Sequence, residues 1–161
     1  MSFRVEYLAD YPHFFKDCAA WSYGRWGVQD KNASLDRALS RFQNGSQKND
    51  LPLTVIAIND KTDLPVAMGS LWSSEDTEKW DDLTPWIASV FTLYRYRNMG
   101  IASQIVDRLE QDAKRLGYED IYLQSGSAAD FYIGHGYSAI ETIQTDQTAA
   151  GQQTLLKKAL Q

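Results

Sequence analysis

The sequence predicts an α/β fold of the α+β kind, with helices set against a mixed, mostly antiparallel sheet. Three observations predict it. Apolar stripes at helical spacing are interspersed with short β-branched runs. Two of those runs, "LPLTVIAIND" and "LPVAMGSLW", are joined by the turn-rich "NDKTD", as in an antiparallel hairpin. One strand–helix–strand succession, from Trp86 to Leu123, is long enough to bring its second strand back parallel to the first. A chain of 161 residues, 43% hydrophobic and 23% charged, can bury one core, and no repeat, low-complexity tract or Pro-rich linker divides it, so residues 1–161 are expected to form a single domain.

The elements follow in order. Phe3 to Leu8 alternates as a strand. From Tyr11 to Trp26, Phe14, Cys18, Ser22 and Trp26 lie four apart with Phe15 and Ala19 beside them, an amphipathic helix that Gly27 ends. "NASLDRALSRFQNG" reads as a second helix with Asn32 or Ser34 as N-cap, Leu35, Ala38, Leu39 and Phe42 on one face, and Gly45 as its stop. The hairpin comes next, then an acidic stretch from Ser73 to Asp82, then the strand "WIASVFTL". After Gly100, Ile101, Ile105, Leu109, Ala113 and Leu116, joined by Ala102 and Val106, make a continuous apolar stripe, with Gly117 as C-cap. "DIYLQ" is a short buried strand, "SAADFYIGH" a short helix closed by Gly136, and "YSAIETIQ" and "QQTLLKKAL" a last pair of strands. The resulting order is β-α-α-β-β-β-α-β-α-β-β.

Charge and composition exclude several classes. A net charge of −5 with an acidic pI disfavours nucleic acid as a partner, because such binding draws on Lys and Arg neutralising phosphates. No apolar run approaches the 18 residues of a membrane span, and "MSFRVEYLAD" lacks the core of a secretory signal, so no membrane is expected and the cytoplasm is the default location. Cys18, the only cysteine, cannot form an intramolecular disulfide, and no Cys/His cluster suggests a metal. A homodimer is left open.

The stretch "YRYRNMGIAS" lies between the strand that ends near Leu93 and the helix that starts near Gly100. A glycine there allows the N–H groups from about Asn98 to Ser103 to point into one concavity at the positive end of the helix dipole. That arrangement suits an anion such as phosphate, with Arg95 or Arg97 adding charge. The Walker and Rossmann glycine patterns are both absent.

At these residues the chain resembles the GNAT superfamily of acetyl-CoA-dependent N-acetyltransferases. Family members carry Arg or Gln, two residues, Gly, one residue, and Gly or Ala after their fourth strand, and Arg97, Gly100 and Ala102 match that pattern. "TPWIASVFTLYRYR" resembles the Pro-Trp-Leu-Ala strand of one bacterial branch, and "YLQSGSAADFYIGHGY" resembles the family's closing helix with its Phe-Tyr and Gly-Tyr. The resemblance covers roughly Thr84 to Tyr137. It implies helices on both faces of the sheet and a splay between the fourth and fifth strands that receives the pantetheine arm of acetyl-CoA. By the same resemblance, backbone groups of Val90, Phe91 and Thr92 would hold that arm, Arg97 would join the cofactor site, and Asn98, Met99, Gly100, Ile101, Ala102 and Ser103 would hold the pyrophosphate. Two positions depart from the family: Tyr94 stands where relatives often carry proline, and none of Gln124, Ser125 and Ser127 clearly matches the asparagine that some relatives place after the fifth strand.

The implied reaction is acetyl transfer from acetyl-CoA to a primary amine of a small molecule, by direct attack in a ternary complex. Tyr132 matches the family's tyrosine near the thioester sulfur. A phenol has a pKa near 10 and a thiol near 8.5, so tyrosine suits hydrogen-bond donation to the departing thiolate better than full proton transfer. The fourth strand offers no carboxylate, which leaves Glu75, Asp76, Glu78, Asp81 and Asp82 as candidate bases and commits the reading to none of them. Trp72, Trp80 and Trp86 are candidates for lining an acceptor pocket, while His13 and His135 read as structural or exposed. Two alternatives stand beside this reading: acetylation of a peptide or protein amine, and a non-catalytic acyl-CoA-binding module.

Overall fold

The computed structural model describes residues 1–28, 30–74, 78–144 and 152–161. Its strands are β1 (Phe3–Tyr7), β2 (Leu53–Asn59), β3 (Pro65–Trp72), β4 (Trp86–Thr92), β5 (Asp120–Ser125), β6 (Ser138–Gln144) and β7 (Gln152–Ala159), and its α-helices are α1 (Phe15–Ser22), α2 (Leu35–Gly45), α3 (Ile101–Arg115) and α4 (Ala129–Ile133). All seven strands join one sheet in the order β1-β2-β3-β4-β5-β7-β6. Every pairing is antiparallel except β4 with β5.

β2 is buried along its whole length and divides the core by its own alternation. Leu53, Val55 and Ala57 pack with Ile101, Ile105, Val106 and Leu109 of α3 on one face, whereas Ile56 and Ile58 pack with Phe14, Cys18, Ala19, Ala38 and Phe42 of the α1–α2 layer on the other. A third cluster, Trp80, Trp86, Tyr122 and Leu155, fills the junction of β4 and β5. Trp80 and Trp86, expected as candidate pocket walls, are therefore core residues, 5% and 0% exposed, and each indole finds an acceptor, Glu141 for Trp80 and the Leu83 carbonyl for Trp86.

Local chemistry explains the helix ends. The Ser34 hydroxyl accepts from the Arg37 amide and caps α2. Gly100 and Gly117 bracket α3 with φ of 80° and 96°. Two residues leave the stripes that the sequence suggests. Trp26 is 44% exposed because the chain from Tyr23 to Gly27 winds as a π-helix, whose wider turn shifts the fourfold spacing off the core face. Leu35 is 50% exposed at the first position of α2, before the helix settles onto the sheet.

The junction of β4 and β5 positions everything that follows. Their ladder has a single residue pair, Trp86 with Tyr122, supported by the Tyr122 amide donating to the Pro85 carbonyl at 3.0 Å. Beyond that pair the strands diverge, while β3 holds one side of β4 and β7 the other side of β5. The β3–β4 register also shifts: Ser70 faces Ala88 but Met68 faces Phe91, so Ser89 and Val90 form a bulge with Ser89 at φ 56°. A bulge kinks its strand and re-aims its edge, here away from β5.

Candidate functional site

The diverging strands leave two unpaired backbone edges facing each other across a wedge that opens toward the N-terminus of α3. Leu93 donates its amide to the Val66 carbonyl of β3. By the alternation of an antiparallel ladder, Phe91 then also turns its backbone to β3, and Val90 and Thr92 turn theirs to the wedge. Phe91 contributes its ring instead, packed 5.7 Å from Trp21 and 6.5 Å from Trp26.

At the mouth of the wedge, the first amide bonded inside α3 is that of Gln104, which reaches the Gly100 carbonyl at 3.2 Å. The amides of Gly100, Ile101, Ala102 and Ser103 donate to no described residue, and no side chain caps the helix. Asn98 (φ 63°) and Gly100 (φ 80°) both adopt the left-handed conformation, which curls the loop around these amides. A Cβ built on Gly100 meets nothing within 4 Å. Four amides, the positive end of a 15-residue helix and open space beside them form a cradle for an oxyanion. Arg97 is exposed at the rim. Its Nε donates to the Thr92 carbonyl at 3.1 Å and its guanidinium lies over the rings of Phe91 and Tyr94, so it ties the loop back to β4 while its outer nitrogens bond to no described residue.

Tyr132 on α4 is 6% exposed, with its ring edge-on to Phe131 and Tyr137. Its hydroxyl bonds to no described residue. Burial pushes the phenol up to about 12, so it stays neutral and keeps its proton available to donate at ordinary pH. α4 is docked onto the cradle by His135, whose Nδ1 sits 2.8 Å from the Phe131 carbonyl and whose Nε2 sits 2.9 Å from Ser103 Oγ. The carbonyl requires a proton on Nδ1, which leaves Nε2 as an acceptor for the Ser103 hydroxyl. Tyr137 donates to Glu110 at 2.8 Å, and Lys158 bridges Glu110 and the His135 carbonyl, locking the turn after α4 against α3. The Ser125 hydroxyl accepts from the Ala128 amide, which occupies that serine in shaping the turn into α4.

Of the five candidate bases, two have described side chains. Asp81 and Asp82 are exposed on their loop, Glu75 and Asp76 lie outside the described residues, and the side chain of Glu78 is not described. Among the described residues no group of His, Cys, Asp and Glu could hold a metal ion, and no helix is long and apolar enough to cross a membrane.

A family model described as "Acetyltransferase (GNAT) family" matches residues 6–137. The chain belongs to the GNAT acetyltransferase family. As a member it is an acyltransferase of the acetyl-CoA-dependent N-acetyltransferase class. Solved GNAT structures share its fold end to end. An aminoglycoside 6'-N-acetyltransferase complexed with coenzyme A superposes with a TM-score of 0.76 at 13% identity, covering 100% of this chain and 98% of that one. The NatC complex bound to Gag peptide and CoA gives 0.74 at 15% identity over 100% of both chains. An acetyltransferase of the GNAT family from Streptococcus pneumoniae gives 0.72 at 11% identity over 99% and 100%. Comparison with curated protein sequences gives no significant match.

Two features of this GNAT site have no counterpart in the sequence reading. One is the His135–Ser103 bond between α4 and the cradle; its only signal was the position of His135 just after a helix already tied to the site. The other is the aromatic face made by Trp21, Trp26 and Phe91, which the exposed turn of the π-helix brings to β4.

Proposed function

We propose that this chain transfers the acetyl group of acetyl-CoA to a primary amine of a small molecule within a ternary complex. One observation carries the reading: β4 and β5 share a single residue pair and then part, beside a helix whose first amides are unpaired. An extended pantetheine arm fits the wedge as an added strand, hydrogen-bonded to the inward backbone groups of Val90 and Thr92. The pyrophosphate fits the amides from Gly100 to Ser103, with Asn98 and Met99 shaping the loop, Arg97 at the rim and the Ser103 hydroxyl oriented by His135.

Tyr132 has the chemistry for the departing sulfur. With a phenol near 12 and a thiol near 8.5, complete proton transfer to the thiolate would run uphill by about 5 kcal/mol. Tyr132 therefore donates a hydrogen bond, stabilising charge as it develops, and the proton that finally reaches the sulfur comes from the amine, which must lose one on becoming an amide. β4 carries no carboxylate to take that proton, so water in the open wedge relays it.

The test has two arms. Calorimetric titration with CoA measures the donor site, and thiol release from acetyl-CoA over a panel of amines and peptides measures transfer. Micromolar CoA binding with turnover on small amines is the expected result. CoA binding without turnover on any amine or peptide would instead favour a binding module, and turnover confined to peptides would reassign the acceptor.

A further inference from the structure

Resting on the acyltransferase reading, we infer that the acceptor is an amine that also carries a carboxylate, and that Arg41 is the residue that binds that carboxylate. Arg41 is on α2 and packs on Trp72, the last residue of β3. Its guanidinium lies 5.6 Å from the centre of the Trp72 ring and 5.3 Å from that of Phe42, and its Nη2 donates to Ser22 Oγ of α1 at 2.6 Å. Trp72 faces Trp86 across the β3–β4 ladder, and Trp86 is the residue that pairs with Tyr122 at the point where β4 and β5 meet. Arg41 thus stands on the α1–α2 side of the apex, where a thioester reaching in from the mouth would end.

The charge pattern around Arg41 is the second observation. Arg4, Arg108 and Arg115 each have a carboxylate partner. Arg41 has none among the described residues, nor do Arg25, Arg37, Arg95 and Arg97; what sets Arg41 apart is its place on Trp72, the residue paired with Trp86 where β4 and β5 meet. Arg41 is exposed as a residue, but partial loss of solvent around its guanidinium lowers it below its ordinary value, a cost that an incoming anion offsets. A guanidinium on an aromatic face with a free edge is the group that takes a carboxylate in two parallel hydrogen bonds. Phe91, with Trp21 and Trp26 packed on it, offers apolar surface for the body of the same molecule.

The experiment compares amino acids with their own amides as acceptors, for example phenylalanine, methionine and glutamate against the corresponding α-amides, in wild type and Arg41→Gln, with Arg37→Gln as control. Arg37 lies on the same helix but bonds the Asn32 carbonyl. The carboxylate-over-amide ratio of kcat/KM is expected to exceed unity in wild type, to fall about 10²-fold in Arg41→Gln and to stay unchanged in Arg37→Gln. Thiol release with equal ratios in wild type and Arg41→Gln would overturn the inference and leave the transferase reading intact. If CoA binds but no amine turns over, calorimetry of the CoA-loaded protein with phenylalanine decides: binding lost in Arg41→Gln supports the site, and binding to both or to neither overturns it.

Discussion

Gly100 and Gly117 sit at opposite ends of α3 with the same backbone problem, and this makes them a matched pair. Both are left-handed, at φ 80° and 96°, and a Cβ on either meets no atom within 4 Å. Replacing either by alanine costs the left-handed penalty of an L-residue, about 1 kcal/mol, and in a chain of this size each kcal/mol lowers Tm by about 2–4 °C. Only at Gly100 does the open space adjoin the free amides. If the cradle holds the pyrophosphate as proposed, a methyl group there takes the place of a phosphate oxygen and removes about two charge-assisted hydrogen bonds of roughly 1.5–3 kcal/mol each, which is about 10²- to 10⁴-fold in affinity. Thermal melts and CoA calorimetry on the two variants read both quantities. We expect similar small losses of Tm, CoA binding abolished in Gly100→Ala and CoA binding retained in Gly117→Ala. Equal CoA affinity in the two variants would refute the assignment of the cradle.

Four further outcomes follow from the site and its frame. Tyr132→Phe should lower kcat about 10²-fold while CoA affinity changes less than about threefold, and an unchanged kcat in thiol-release assays would remove the tyrosine from the mechanism. Because burial raises the Tyr132 phenol from 10 to about 12, its stabilising contribution is complete below pH 10 and is lost as pH rises from 10 to 12. About 2 kcal/mol of this is lost between pH 9 and pH 11.5, and Tyr132→Phe should abolish that loss, as urea titrations at the two pH values can check. Cys18 is fully buried and its thiol is raised by that burial and by Asp17, so aromatic disulfide reagents should leave it unlabelled until the protein is denatured and the thiol-release assay should be free of its background. Asp112→Ala should cost about 3 kcal/mol in denaturant titrations, because the 2%-exposed carboxylate accepts from Tyr7 at 2.6 Å and from Arg115 and also pairs with Arg108.

What the sequence discloses and what it hides divide along physical lines. The stripe from Ile101 to Ala113 and the β-branched runs of β2 and β3 are legible because burial on one face or on both imposes a period. The same holds for Ser34, where one side chain satisfies one amide. Asp112 is an acid on the edge of the α3 stripe, flanked by Arg108 and Arg115 at helical spacing, and that spacing was its available signal. The π-turn after α1 left no such mark: it displaces Trp26 from a stripe of spacing four and creates the aromatic face beside Phe91, an effect of winding rather than of composition. The insertion of β7 between β5 and β6 is equally silent, since strand order depends on pairings distant in sequence. At the candidate site, Gly100 and Tyr132 are proposed from local patterns and family resemblance. The partners that orient them, His135 on Ser103 and Tyr137 on Glu110, link α3 to α4 and its following turn across about thirty residues and required the fold.

A crystal structure of this protein grown with CoA addresses the central claim directly. The account predicts the pantetheine arm lying between β4 beyond Trp86 and β5 beyond Tyr122, diphosphate oxygens within hydrogen-bond distance of the amides from Gly100 to Ser103, and sulfur facing the Tyr132 hydroxyl. A wedge left empty by CoA at saturating concentration, or coenzyme bound elsewhere on the surface, would contradict it.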